Sequence, residues 1–160
     1  MIDLISIDKL LEEIPVFQGL SRGHLELIAG CATNVRFDEG QMLFNEGDKA
    51  SRFFVVRHGL VAIELYAPEK GRITIETVRD NGVVGWSWLI PPYRWYFDAR
   101  AVESTRAVAL DAQCLRGKCE EDTKLGYDLM QRFAQVMTKR LQRAAMQLLD
   151  VYGRGGSLSS

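Results

Sequence analysis

Helical spacing of apolar residues marks the first block of the chain, residues 7–31. Apolar side chains recur there every three or four positions, as at Leu10 and Ile14, and Pro15 then interrupts the pattern. This period predicts short amphipathic helices, because residues three and four apart share one helix face. Ser21 precedes the next apolar set and is a good N-cap, so a second short helix is expected to begin after it.

The central block, residues 33–111, is predicted to form strands. Short apolar runs alternate there with turns rich in Gly, Asp and Asn, and the turns recur at intervals of roughly 8–12 residues, which is typical of an all-β roll or barrel. We therefore predict a mainly β protein with flanking helices, built as a β-roll (a double-stranded β-helix, or jelly-roll). The predicted organisation is one domain over residues 1–154, with helices over 7–31, the β-roll over 33–111, helices over 112–151, and a flexible Gly/Ser-rich tail over 155–160.

The last predicted helix is long and carries an apolar seam. It runs from about residue 124 to 151, and apolar residues recur along it at three and four positions. Such a seam fits pairing with a partner helix, and so a homodimer, but it could also pack on the chain's own β-roll. Pairing is favoured because a roll covers only part of so long a helix. The seam residues are Met130, Phe133, Met137, Leu141, Ala144 and Leu148.

Composition excludes several classes of function. The 160 residues carry 20 basic and 21 acidic side chains, a formal net charge of −1, so no overall positive field attracts nucleic acid or a membrane surface. The basic stretch Lys139, Arg140 and Arg143 is interpreted as a solvated helix face. Three cysteines in a chain of this size predict reduced thiols and a cytoplasmic location.

The sequence offers little material for a metal site or for catalysis. His24 and His58 are its only histidines, and metal-binding barrels need several that converge. Cys114 and Cys119 form no Cys-x-x-Cys motif and are expected to be buried thiols. No nucleophile elbow or Cys–His pair is evident, so we expect no enzyme activity, no metal and no cofactor.

Residues 82–100 form the most unusual segment, because it contains all three tryptophans. Backbone N–H groups beside its glycines, together with a nearby guanidinium, could make an anion pocket. Alternatively, the aromatic residues form the core and rim of a protein interface. The candidate ligand-binding residues are Gly82, Gly85, Trp86, Ser87, Trp88, Leu89, Arg94 and Arg100.

Several motifs occur in an order that resembles a known family. They are Ile14-Pro15-Val16-Phe17-Gln18-Gly19-Leu20-Ser21, Phe37-Asp38-Glu39-Gly40-Gln41, Phe44-Asn45-Glu46-Gly47-Asp48 and Phe53-Phe54-Val55-Val56-Arg57-His58-Gly59. Over about residues 10–154 the chain resembles the cyclic-nucleotide-binding domain of the catabolite activator and fumarate–nitrate regulator superfamily. The resemblance implies an eight-stranded β-roll, a long C-terminal helix that often dimerises, and cyclic AMP or cyclic GMP as ligand.

The chain departs from this family at the residues that hold the nucleotide. The family's cassette has a Glu for the ribose hydroxyl and an Arg for the cyclic phosphate. Trp86 stands at the Glu position, and the Arg position falls near Tyr96, so Arg94 is the nearest substitute and Arg100 the next. On the long helix, Ala144 stands where a hydroxyl is common.

Two functions are therefore expected. The first is a non-enzymatic sensor that binds a cyclic nucleotide or a related phosphorylated ligand and signals to an unknown protein through its C-terminal helix. The alternative is a degenerate fold that serves as a protein-interaction and dimerisation scaffold, or a transcription-regulator fragment. Too few residues follow Leu149 for a helix-turn-helix, so no direct contact with nucleic acid is expected.

Overall fold

Eight strands form two four-stranded antiparallel sheets in the computed structural model, which describes residues 6–159 and the side chains of residues 6–153. One sheet has the order β1-β8-β3-β6 and the other β2-β7-β4-β5. The predicted mainly β fold is thus confirmed. The strands are β1 (Ala32–Phe37), β2 (Met42–Phe44), β3 (Arg52–His58), β4 (Val61–Ala67), β5 (Gly71–Val78), β6 (Val83–Val84), β7 (Asp98–Ala101) and β8 (Thr105–Asp111).

Helices flank the sheets at both ends of the chain. Ser21 caps α2 as predicted, with its hydroxyl oxygen 3.2 Å from the His24 amide that donates to it, and the Asp111 carboxylate caps α3 in the same way at 2.8 Å. None of the described helices is long and apolar enough to cross a membrane. The helices are α1 (Ile7–Glu12), α2 (Arg22–Ala29), α3 (Ala112–Glu121) and α4 (Thr123–Ser159), with short 3-10 turns at Pro15–Phe17 and Ser87–Leu89.

Helix α4 runs farther than the sequence predicted. We expected it to end near residue 151 and residues 155–160 to form a flexible tail, but the backbone stays helical through Ser159. Glycine disfavours a helix by about 1 kcal/mol relative to alanine, yet unlike proline it removes no hydrogen bond, so a helix can pass through it. Ser160, and residues 1–5 of the predicted domain, lie outside the described residues.

The first part of α4 packs against the protein's own core. Leu125, Leu129 and Phe133 recur every four residues and are completely buried. The Phe133 ring meets the Phe53 and Trp88 rings edge-on, with 5.3 Å between centroids in both pairs. The prediction that Phe133 belongs to an intermolecular seam is therefore wrong, because its side chain already fills an intramolecular site.

A disulfide joins Cys31 to Cys114 and corrects the prediction of reduced, buried thiols. Spacing along the sequence could not reveal this pair, since 83 positions separate the two residues. The fold brings them together because the Asp111 amide donates to the Cys31 carbonyl at 2.9 Å, which aligns the end of β8 with the start of β1. Cys119 remains a free, partly buried thiol, and burial raises the pKa of that thiol.

We predict that replacing both bonded cysteines, in Cys31→Ser/Cys114→Ser, lowers the free energy of unfolding by about 4 kcal/mol, because a crosslink over so long a loop restricts the unfolded chain. Urea titrations of the two proteins measure this difference. Cys119→Ser is the matched control and should lose much less. The denatured, unreduced wild-type protein should show one reactive thiol; three would contradict the disulfide.

Candidate functional site

The site begins where strand β6 ends, at Gly85. Gly85 has φ +98°, a left-handed conformation that residues with a Cβ rarely adopt. The chain then turns through the 3-10 segment Ser87–Leu89, in which Ser87 is buried and Leu89 half-buried. Gly82 lies before β6 in a turn, where its carbonyl accepts from the Val56 amide at 3.0 Å. Gly82 and Gly85 thus lie on either side of β6, and both precede the 3-10 turn.

The indole of Trp95 occupies the space beside Gly85 where an anion pocket was predicted. A Cβ on Gly85 would lie 2.5 Å from the Cη2 and Cζ3 atoms of that ring. Trp95 is 4% exposed and stacks on Phe44, with 3.9 Å between ring centroids and 10° between planes. About 20 Å³ of free volume remains beside these groups, enough for roughly one water molecule and too little for a phosphate.

Neither candidate arginine reaches this space, which corrects their predicted role. Arg94 is exposed, and its Nη1 lies 3.4 Å from the Gly47 carbonyl oxygen. Arg100 forms a two-bond ion pair with buried Glu64, at 3.2 Å for Nε to Oε1 and 2.8 Å for Nη2 to Oε2. The hydrogen bond to Glu64 raises the pKa of Arg100. Arg100 is thus committed to an internal carboxylate.

A second carboxylate extends this ion-pair network and makes it less suited to an anionic ligand. Asp98 on β7 is 8% exposed, receives a bond from Arg72 Nη1 at 2.6 Å, and accepts from the Glu46 amide at 2.7 Å. Arg72 also lies 3.7 Å from Glu64. Arg72 and Arg100 therefore neutralise buried carboxylates of the protein itself.

Trp88 belongs to the hydrophobic core. It is fully buried and stacks on Phe53, with 4.6 Å between ring centroids. Its carbonyl oxygen accepts a hydrogen bond from Arg116 at 2.7 Å, while its indole Nε1 has no hydrogen-bond partner among the described residues. Trp88 therefore anchors the turn to the core and to Phe133 of α4, and it is not available to a ligand.

Arg140 of α4 is the functional residue that sequence reasoning missed. Its side chain is only 11% exposed, donates to the Val83 carbonyl, and pairs with Glu76 at 3.3 Å. Its guanidinium lies 5.5 Å from the ring centroid of Trp86. Burial lowers the pKa of Arg140. A signal was present in the sequence, because Arg140 follows Met137 by three residues and so continues the apolar helix face.

An open groove lies between the β4–β5 pair and α4. Its volume is about 560 Å³, and apolar side chains from both elements form most of its walls. Glu76 on β5 pairs with Arg140 and also with Arg143, whose Nη1 is 3.1 Å away. The predicted site is thus divided into a closed part beside Gly85 and an open part beside α4. The principal groove residues are Ile63, Ile75, Trp86, Phe97, Met137 and Leu141.

Metal-ligating side chains do not cluster in the part of the chain that the structure describes: no group of three or more His, Cys, Asp or Glu residues is close enough to hold an ion. His24 instead lies 3.0 Å from the Asp122 carboxylate through its Nε2. The pKa of Asp122 is lowered, first by the Leu125 amide that donates to it and then by His24. His58 is exposed at the end of β3.

Comparison with known proteins places these features in a family. The profile of the cyclic nucleotide-binding domain matches residues 34–122, more than half of the chain. A CRP-like cAMP-activated global transcriptional regulator of Mycobacterium tuberculosis is 23% identical over 145 residues, 91% of this chain. The chain spans 63% of the length of that relative.

Two solved structures are similar in fold. A putative cyclic nucleotide-binding protein from Geobacter metallireducens is 29% identical with a TM-score of 0.76, over 86% of this chain and 99% of the other. A cyclic nucleotide-binding domain from Methylobacillus flagellatus is 22% identical with a TM-score of 0.79, over 92% and 86%. The chain thus shares the fold of these two proteins over most of its length.

The contact between Gly85 and Trp95 predicts the effect of a single methyl group. Gly85→Ala should lower the free energy of unfolding by about 1–2 kcal/mol through backbone strain and by about 1–3 kcal/mol more through overlap with the indole. Gly40→Ala is the control, because Gly40 has φ +87° with no heavy atom within 4 Å of the added Cβ. Urea unfolding measures both, and equal losses would contradict the closed site.

Proposed function

The chain belongs to the cyclic nucleotide-binding domain family, and we propose that it is a non-enzymatic regulatory module whose phosphate site is closed by its own Trp95. In this proposal the module works through protein contacts of α4, with homodimerisation as the first of them. The observation that carries the proposal is the indole of Trp95 packed against Gly85, in the space that a ligand phosphate would need.

The energetics of the closed site support this proposal. A phosphate at Gly85 would have to displace Trp95 from its stack on Phe44. It would then meet neither candidate guanidinium, because Arg94 is exposed beside the Gly47 carbonyl and Arg100 is paired with Glu64. Each lost charge-assisted contact, or polar group left unpaired on burial, costs about 1–3 kcal/mol. Two such losses weaken binding by roughly two to four powers of ten.

The outer half of α4 supports the self-association part of the proposal. From residue 141 to 153 every side chain of the helix is exposed, including Leu141 at 71%, Leu148 at 57% and Tyr152 at 69%. These three residues are seven and four positions apart and so lie on one face, the spacing of a two-helix seam. Two copies related by a twofold axis would each cover the other's stripe.

The proposed function of this chain differs from the function that is named for its relative. Activation by cAMP and control of transcription are stated of the Mycobacterium tuberculosis protein, which is longer than this chain. For this chain we propose a module that contacts a protein partner and has no direct contact with nucleic acid. The near-zero net charge supports the last point, because nucleic-acid binding depends on clustered positive charge.

Titration with cyclic AMP and cyclic GMP tests the closed phosphate site. We expect no saturable change in tryptophan emission and no rise in melting temperature at 1 mM ligand (about 100 times a 10 μM dissociation constant), where a binding ligand would stabilise the fold by about 2.7 kcal/mol. A saturable response to either nucleotide would contradict the closed site and favour the sensor function.

Sedimentation tests the seam on α4. Leu141→Glu/Leu148→Glu should convert a dimer to a monomer, because two buried carboxylates per chain would face each other in the seam. Gln135→Glu/Gln142→Glu adds the same charge to exposed positions on another face of α4 and should leave the mass unchanged. A monomeric wild-type protein, or a double leucine variant that stays dimeric, would refute pairing through this face.

A further inference from the structure

The groove between β4–β5 and α4 remains open although the phosphate site is closed. Its volume of about 560 Å³ falls within the range of small-molecule sites, roughly 300–1,000 Å³. We propose that this groove binds an aromatic monoanion that has no phosphate, such as a bicyclic aromatic carboxylate. This inference rests on the proposed closure by Trp95, which leaves the groove as the accessible part of the site.

The walls of the groove select an apolar, planar ligand. Ile63 and Ile75 approach from the two strands, Met137 and Leu141 from α4, and Phe97 from the segment before β7. Ile75 and Met137 are half-buried, so a ligand that covers them removes apolar surface from water. This burial is worth roughly 25 cal/mol per Å² of apolar surface.

The charges of the groove select an anion. Among residues 6–153, the charged side chains that line the groove are Glu76, Arg140 and Arg143. One carboxylate lies between two guanidinium groups, 3.3 Å from Arg140 and 3.1 Å from Arg143. The three side chains together carry one net positive charge, which a single carboxylate on the ligand would neutralise.

Arg140 and Arg143 have different roles in binding the anionic ligand. Arg140 is 11% exposed, donates to the Val83 carbonyl and forms an ion pair with Glu76, so it holds the wall in place beside Trp86. Arg143 is 62% exposed and keeps donors free beyond its bond to Glu76. Arg143 is therefore the residue that meets the ligand carboxylate, in the two-bond geometry that guanidinium and carboxylate favour.

A cyclic nucleotide does not meet these conditions. In the proposed function its phosphate belongs beside Gly85, where about 20 Å³ is free. An aromatic carboxylate places its whole apolar body in the open groove and its single charge at the rim, beside Arg143. Shape and charge thus favour the same class of ligand.

The experiment uses 2-naphthoate as the probe and 2-naphthamide as its uncharged counterpart. Quenching of tryptophan emission reports binding, because Trp86 lines the groove. We expect saturable binding of naphthoate by the wild-type protein and at least about tenfold weaker binding of the amide. Equal affinity for the two probes, or no saturable binding of naphthoate, would overturn the proposal.

Variants locate the bound probe. Arg143→Gln should weaken naphthoate about tenfold and leave the amide unchanged, whereas Lys139→Gln removes the same charge from an exposed position of α4 outside the groove and should change neither. Ala144→Phe should fill the groove and abolish both. Leu148→Glu tests adsorption to the exposed stripe; if it abolishes naphthoate binding, or if Arg143→Gln has no effect, the proposal is wrong.

The same assay separates this inference from the proposed function. If cyclic AMP binds saturably, the closure by Trp95 fails, and the inference that rests on it fails as well. If cyclic AMP and naphthoate both leave the emission unchanged, the closed site stands and only the aromatic-anion inference is overturned. Binding of naphthoate without cyclic AMP supports both.

Discussion

The packing of one indole ring on one glycine shapes the turn that follows β6. Gly85 has no Cβ and adopts a left-handed conformation, which allows Trp95 to lie directly against the backbone and to stack on Phe44. The arginines nearby are consistent with that closure, because Arg100 is bound to Glu64. The chain thus retains the family's architecture, and hydrophobic packing occupies the space beside Gly85.

Helix α4 has two parts with different surroundings. Up to Phe133 its apolar residues belong to the core, and from Leu141 onward all described side chains face solvent. Between them Arg140 binds the sheet through Glu76 and contacts Trp86. The helix thus connects the turn after β6 to an exposed surface farther along α4. A change in the shape of the groove would act on α4 at Arg140, where the two parts of the helix meet.

The sequence predicted the architecture well because periodicity reports which face of an element is buried. The helical and strand blocks could be predicted from this periodicity. The Ser21 cap could be predicted from its residue type. Strand β6 cannot be identified in this way, since two residues, Val83 and Val84, establish no period. The role of Trp95, the pairing of Arg100 and the Cys31–Cys114 bond depend on contacts between distant segments, and local pattern carries no information about those. Arg140 was misread because a cation on an apolar face was taken for a solvated one.

The base of α4 is attached to the N-terminal segment at several points. Arg132 donates to the carbonyls of Val16 and Gln18, at 2.9 and 2.6 Å, and the disulfide and the His24–Asp122 contact join the adjoining helices. These contacts hold the first part of α4 against the N-terminal segment. A tilt of α4 at this level would therefore have to move the segment around Val16 with it or break the hydrogen bonds of Arg132.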